Sequence, residues 1–154
     1  MKKNYYFFFL FLFFPFTNFA QNWQKTKINA WDFEILLPEN SQKVIDNDAC
    51  VLIGKVDNTK YQVIVKKNQV SDANVLLKEG IDGFIEEGKD EIISNEKIKV
   101  DNYPAREARL NTFKGKKVII RVIVAKNKTF MLVVYASQID EDNANKFFNS
   151  FSIK

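Results

Sequence analysis

Histidine is missing altogether from this 154-residue chain, and cysteine occurs once, as Cys50. Without histidine there can be no Ser-His-Asp triad and no papain-like thiol–imidazole pair. A single cysteine excludes an intramolecular disulfide. Cys50 reads as a small buried apolar residue, with an intermolecular bridge or a reactive thiol as the alternatives. Glycine is scarce, five residues in all, and Gly80, Gly83 and Gly88 follow no phosphate-loop spacing. The pattern places no two carboxylates on adjacent buried positions for acid–base work. Glu86, Glu87, Asp90 and Glu91 form an acidic run, but calcium needs six or more oxygen ligands in a shaped loop, so the run reads as a solvated patch. The expectation is a protein that is not an enzyme, with no catalytic residues, no metal and no cofactor.

Charge of one sign is also in short supply. The formal net charge is +4, and it drops to +2 once the first twenty residues, with two lysines and no acid, are set aside. A balance so small, spread along the chain, provides no basic face of the kind nucleic acid requires.

Those first twenty residues are written differently from the rest. Lys2 and Lys3 precede an apolar run from Tyr5 to Phe16 that ends at Thr17-Asn18, and Ala20 stands before Gln21. A charged start, a dozen apolar residues and a small residue at the cut describe a secretory signal peptide. An uncleaved anchor is the rival reading, but a spanning helix needs about 20 apolar residues. Residues 1–20 are therefore expected to be removed, leaving 21–154 as a single domain without stable membrane insertion, periplasmic or secreted. No cysteine follows the cut to carry a lipid. About 134 residues suffice for a core without staples.

Within that domain the apolar periodicity changes several times. Trp31, Phe33, Ile35 and Leu37 alternate with Asp32, Glu34 and Leu36 until Pro38, as in a half-buried strand. Residues 39–48 are polar with no clear period. Val51–Val56 and Tyr61–Lys66 flank Asp57-Asn58 and read as a hairpin. Ser71 is expected to cap a helix, with Asp72 at the positive dipole end. Leu77, Ile81, Phe84 and Ile85 then share one helical face. From Ile92 the chain returns to strands: Lys97–Val100, Ala105–Leu110, Val118–Ala125 and Phe130–Ala136. The last two are apolar on both parities, so both faces of their sheet must be covered. Asp140 or Asp142 can cap a final helix carrying Ala144, Phe147, Phe148 and Phe151. The expected fold class is α+β, a central antiparallel sheet of about six strands with helices packed on both faces.

The segments "WDFEILLPENSQK", "IKVDNYPAREARLNTFKGKKVIIRVIVAKNKTFMLVVYAS" and "ANKFFNSFSIK" together resemble the PsbP-like fold group, in particular its small bacterial periplasmic members of the DcrB kind and related domains of unknown function. The resemblance spans nearly the whole of the domain. It implies an antiparallel sheet between helices and accessory or binding roles without a defined activity. Asn102 stands in "NYPAR" where related sequences often place glycine.

Tyr103, Arg106, Arg109 and Arg121 form the candidate partner-binding cluster. A three-residue loop at Lys114–Lys116 would set Arg109 directly opposite Arg121, with Glu107 on the same face. Like charges side by side repel, so an acid must sit near them: Glu107 itself, or a carboxylate of a partner matching the arginine forks. The functional expectation is a non-enzymatic accessory or protein-binding module of the cell envelope, its partner another envelope protein. The alternative is a carrier of a small apolar or lipidic ligand held between helix and sheet.

Overall fold

The computed structural model describes residues 22–154; the expected signal peptide lies outside them. Ten strands are present among the described residues: β1 (Trp23–Ile28), β2 (Phe33–Pro38), β3 (Gln42–Ile45), β4 (Ala49–Val56), β5 (Thr59–Lys67), β6 (Glu91–Val100), β7 (Tyr103–Asn111), β8 (Lys117–Ala125), β9 (Lys128–Ala136) and β10 (Ser152–Ile153). Two helices accompany them, α1 (Ala73–Asp82) and α2 (Glu141–Asn149). The strands form two sheets, one of seven in the order β3-β4-β5-β9-β8-β7-β6 and one of three in the order β1-β2-β10.

This corrects the expected fold class. More than half of the described residues are extended, and the helices are only ten and nine residues long, so the protein is mostly β and not an α+β layering of six strands between helices. Strands apolar on both parities do demand cover on both faces, but cover need not be helical. On one face of the large sheet lies α1, which packs Leu77 and Ile81 onto Ala108, Leu110, Ile120, Val122, Met131 and Val133. On the other lies the three-stranded sheet together with α2. There Phe33, Ile35 and Leu37 of β2 and Phe147 and Phe148 of α2 share a core with Leu52, Tyr61, Val63, Phe130 and Leu132. β1 and β3 carry too few apolar residues to announce themselves; backbone pairing to β2 and β4 makes them strands.

Turn chemistry accounts for the meander. Asp57, between β4 and β5, has φ 51°; Asp101 and Asn102, between β6 and β7, have 49° and 67°; Lys126 and Asn127, between β8 and β9, have 49° and 57°. Two-residue hairpin loops favour such left-handed backbone. Asn102 occupies that region without being glycine, as short polar side chains allow.

The helix caps follow the sequence with one shift. Asp72, rather than Ser71, caps α1, its carboxylate accepting from the backbone N–H of Asn74 at 2.8 Å and Val75 at 3.4 Å. α1 ends at Asp82, before Phe84 and Ile85. Asp140 caps α2, accepting from the N–H of Asn143 at 3.1 Å. Phe151 lies past the end of α2 but remains buried, between Phe33 and Phe130.

Candidate functional site

The four candidate residues do not form one cluster. The β7–β8 loop runs over five residues, Thr112 to Lys116, because Asn111 pairs with Lys117. The Thr112 N–H donates to the Lys116 carbonyl at 2.7 Å, and the Gly115 N–H donates to the Thr112 carbonyl at 2.9 Å. Compared with a three-residue loop, this slides the register by two residues. Arg121 stands opposite Glu107, and Arg109 opposite Ile119. The expected Arg109–Arg121 juxtaposition is thereby overturned, since the slip replaces a repulsive pair with an attractive one.

Each of these two arginines has an internal acid. Arg121 donates through Nε and Nη2 to one oxygen of Glu107, at 2.9 and 2.7 Å, and its guanidinium lies 4.8 Å from the Phe148 ring centre. Arg109 donates through both Nη atoms to the two oxygens of Glu141, at 2.7 and 3.0 Å. That fork holds Glu141 below the usual carboxylate range and the guanidinium more firmly protonated. Both arginines tie β7 and β8 to α2. Tyr103 lies on this same side, half-buried against the larger core.

Arg106 is on the opposite face, the one carrying α1. A single cross-strand row crosses the large sheet there: Val44, Val51, Ile64, Met131, Val122, Arg106, Lys97. Its first five members are apolar and its last two are cations. Lys78 of α1 is near enough for Arg106 to act on it electrostatically. Lys78 itself pairs with Asp82. Arg106 makes no ion pair among the described residues, and its Nε is buried without a hydrogen-bond partner. Two adjacent cations on neighbouring strands are unfavourable, and a buried donor without a partner adds to the cost.

Where α1 crosses the row at Val122, it leaves a groove on its other flank. This groove is about 620 Å³ and is bounded by β5, β9, the segment 67–70 and the helix. Ile64, Met131, Leu76, Phe84 and Val70 supply its apolar wall, with Lys66, Asn68 and Thr129 at one end. Val44 and Val70 stay exposed, at 65% and 50%.

Two smaller questions are resolved by burial and hydrogen bonding. Cys50 is buried, and desolvation pushes its thiol up to about 11, so it packs as a small apolar residue. In the acidic run, Asp90 accepts from the N–H of Glu86 at 2.8 Å and of Phe113 at 3.0 Å, which lowers its pKa; it braces a loop. Sequence reasoning missed Lys78, Lys97, Lys66 and Asn68 as companions of any site. The alternation in Lys97–Val100 pairs Lys97 with Lys99, but only strand register sets Lys97 beside Arg106.

The chain matches no protein-family model and no curated protein sequence. Its architecture, however, is similar to the solution structure of cyanobacterial PsbP (CyanoP) from Synechocystis sp. PCC 6803. The TM-score is 0.60 at 13% identity, covering 87% of this chain and 94% of that one. The fold is PsbP-like. A crystal structure from Bacteroides thetaiotaomicron VPI-5482 is also similar, with TM-score 0.54 and 10% identity over 85% of this chain. This chain spans 48% of that protein's length. At such identities the likeness extends to the fold alone. No helix among the described residues is long and apolar enough to cross a membrane.

Proposed function

We propose that the protein is a non-enzymatic accessory module of the cell envelope, close in kind to the DcrB-type members of the PsbP-like group, which engages another envelope protein through an acidic segment. The observation that carries this reading is Arg106. It alone of the three candidate arginines has no internal acid, and it lies beside Lys97 with its Nε orphaned. A carboxylate laid across Arg106 and Lys97 would offset the repulsion between them, since an arginine fork matches a carboxylate.

The test is affinity capture from native envelope by the processed protein, with Arg106→Gln and Lys97→Glu as variants. Capture should drop several-fold in each variant and weaken as salt rises past about 0.15 M, where the screening length is about 8 Å. Capture indifferent to both substitutions would end the cationic-face reading. The compartment is tested separately, because the exported protein should begin near Gln21 by mass spectrometry.

A second reading has its own observation. The groove beside α1 is concave, largely apolar and some hundreds of Å³ in size, as small-molecule sites are, which favours a carrier of a small apolar or lipidic ligand.

A further inference from the structure

The groove has one polar end, and its chemistry selects a ligand. Lys66 follows Ile64 on the same face of β5, opposite Thr129 of β9. It makes no ion pair among the described residues. Beside it, the Thr129 hydroxyl donates to Oδ1 of Asn68 at 2.7 Å. That bond fixes the amide so that its Nδ2 hydrogens are left to donate elsewhere. A cation and an amide donor thus converge at the end formed by Lys66, Asn68 and Thr129. Strands β3, β4 and β5 contain five lysines, at 43, 55, 60, 66 and 67, and not one aspartate or glutamate. Glu79 stands on the helical wall, so an anionic head is repelled from that side and directed to the sheet side.

The apolar part of the groove sets the size. From Leu76 to Gly83 the helical wall runs about 10 Å, and it faces Ile64 and Met131 across the groove. Gly80 and Gly83 present no side chain into that space. At the far end Phe84 stands over the groove, half-buried.

Resting on the carrier reading of this groove, we infer that its ligand is a single-chain amphiphile with a carboxylate head and a medium-length acyl chain. The head lies at Lys66 and Asn68, and the chain lies along Ile64 and Met131 toward Gly83.

Met131 supplies the measurement. The chain has two methionines, so methyl-labelled methionine reports on the groove with almost no overlap. Decanoate, octanoate and the neutral decanol are titrated separately into the processed protein while the Met131 methyl resonance is followed. Decanoate should shift it at saturable concentrations, and removing two methylenes should weaken binding by about fourfold per methylene. Lys66→Gln should weaken decanoate at least fivefold and leave decanol unchanged, and Gly83→Leu should abolish binding of both. If Gly83→Leu fails to fold, the surface variant Lys66→Gln decides alone. Should decanol bind as tightly as decanoate, with Lys66→Gln altering neither, the carboxylate assignment falls while the apolar groove stands. No shift with any of the three ligands overturns the assignment and the carrier reading together.

Discussion

Glu34 is held between two lysines, with Lys25 at 2.8 Å and Lys154 at 2.9 Å. Hydrogen bonds from Lys25 and then Lys154 depress its carboxyl to about 2. A carboxylate depressed in the folded state stabilises the protein above its unfolded pKa, and that stability drains away as pH falls through the folded value. Between about pH 4.5 and pH 2 the urea midpoint should therefore fall. Asp32, Asp46, Asp90 and Glu141 are depressed too and add to the slope in the same sense. Glu34→Gln should start lower at pH 6 and lose less on acidification, and a wild-type slope in the variant would remove Glu34 from the account. Cys50 gives a contrasting case. With its thiol pushed up to about 11 and its side chain enclosed, it should react with a thiol reagent at neutral pH only at the rate of unfolding, whereas fast native labelling would mean an open path to the core.

The position of α1 depends on one glycine. A Cβ built on Gly80 would lie 2.7 Å from a γ-methyl of Val122, while at Gly83 the nearest atom is the Glu79 carbonyl at 3.4 Å. Helix propensity favours alanine over glycine by about 1 kcal/mol inside the helix at Gly80, where the clash opposes it, whereas the C-cap Gly83 has φ −63° and no clash, so the two substitutions should diverge. Gly83→Ala should be neutral or stabilise by up to about 1 kcal/mol. Gly80→Ala should destabilise by about 1–3 kcal/mol, since overpacking forces the helix off β8. Denaturant midpoints of the two variants decide the matter; equal midpoints would mean that α1 is free to shift. The same close approach lets a ten-residue helix cover the middle of the sheet and leaves the apolar groove open on one flank and Arg106 on the other.

Across the whole molecule, the C-terminus closes the fold. β10 pairs with β2, the Lys154 N–H donates to the Asp32 carbonyl at 2.8 Å, and Phe151 packs its ring 5.9 Å from Phe33 and 5.4 Å from Phe130. Phe151→Ala should cost about 3–5 kcal/mol, a large share of a domain stability of about 5–15 kcal/mol. Truncation after Asn149 should cost more than that single change, because the strand pairing goes as well. Thermal unfolding of both proteins is the check; a truncated form as stable as the intact one would make the tail a loose appendage.

Much of this architecture was legible in the chain itself. Apolar residues on both parities of Val118–Ala125 and Phe130–Ala136 required two covered faces, Asp57-Asn58 marked a hairpin turn, and Asp140 with Phe147 and Phe148 marked a docked helix, because these features depend on neighbours a few residues apart. What covers each face did not follow, since WQKTKI becomes a strand only by pairing with β2 across a turn. Nor could the arginines be sorted. The fate of Arg109 and Arg121 depends on the number of residues in one hairpin loop, and a slip of two positions sends Arg109 to Glu141 and Arg121 to Glu107. Strand alternation, by contrast, puts Arg106 on the other face, and the β6–β7 register sets it beside Lys97. Hydrophobic pattern is a property of single strands, whereas charge pairing is a property of register, and register is decided by the folded sheet.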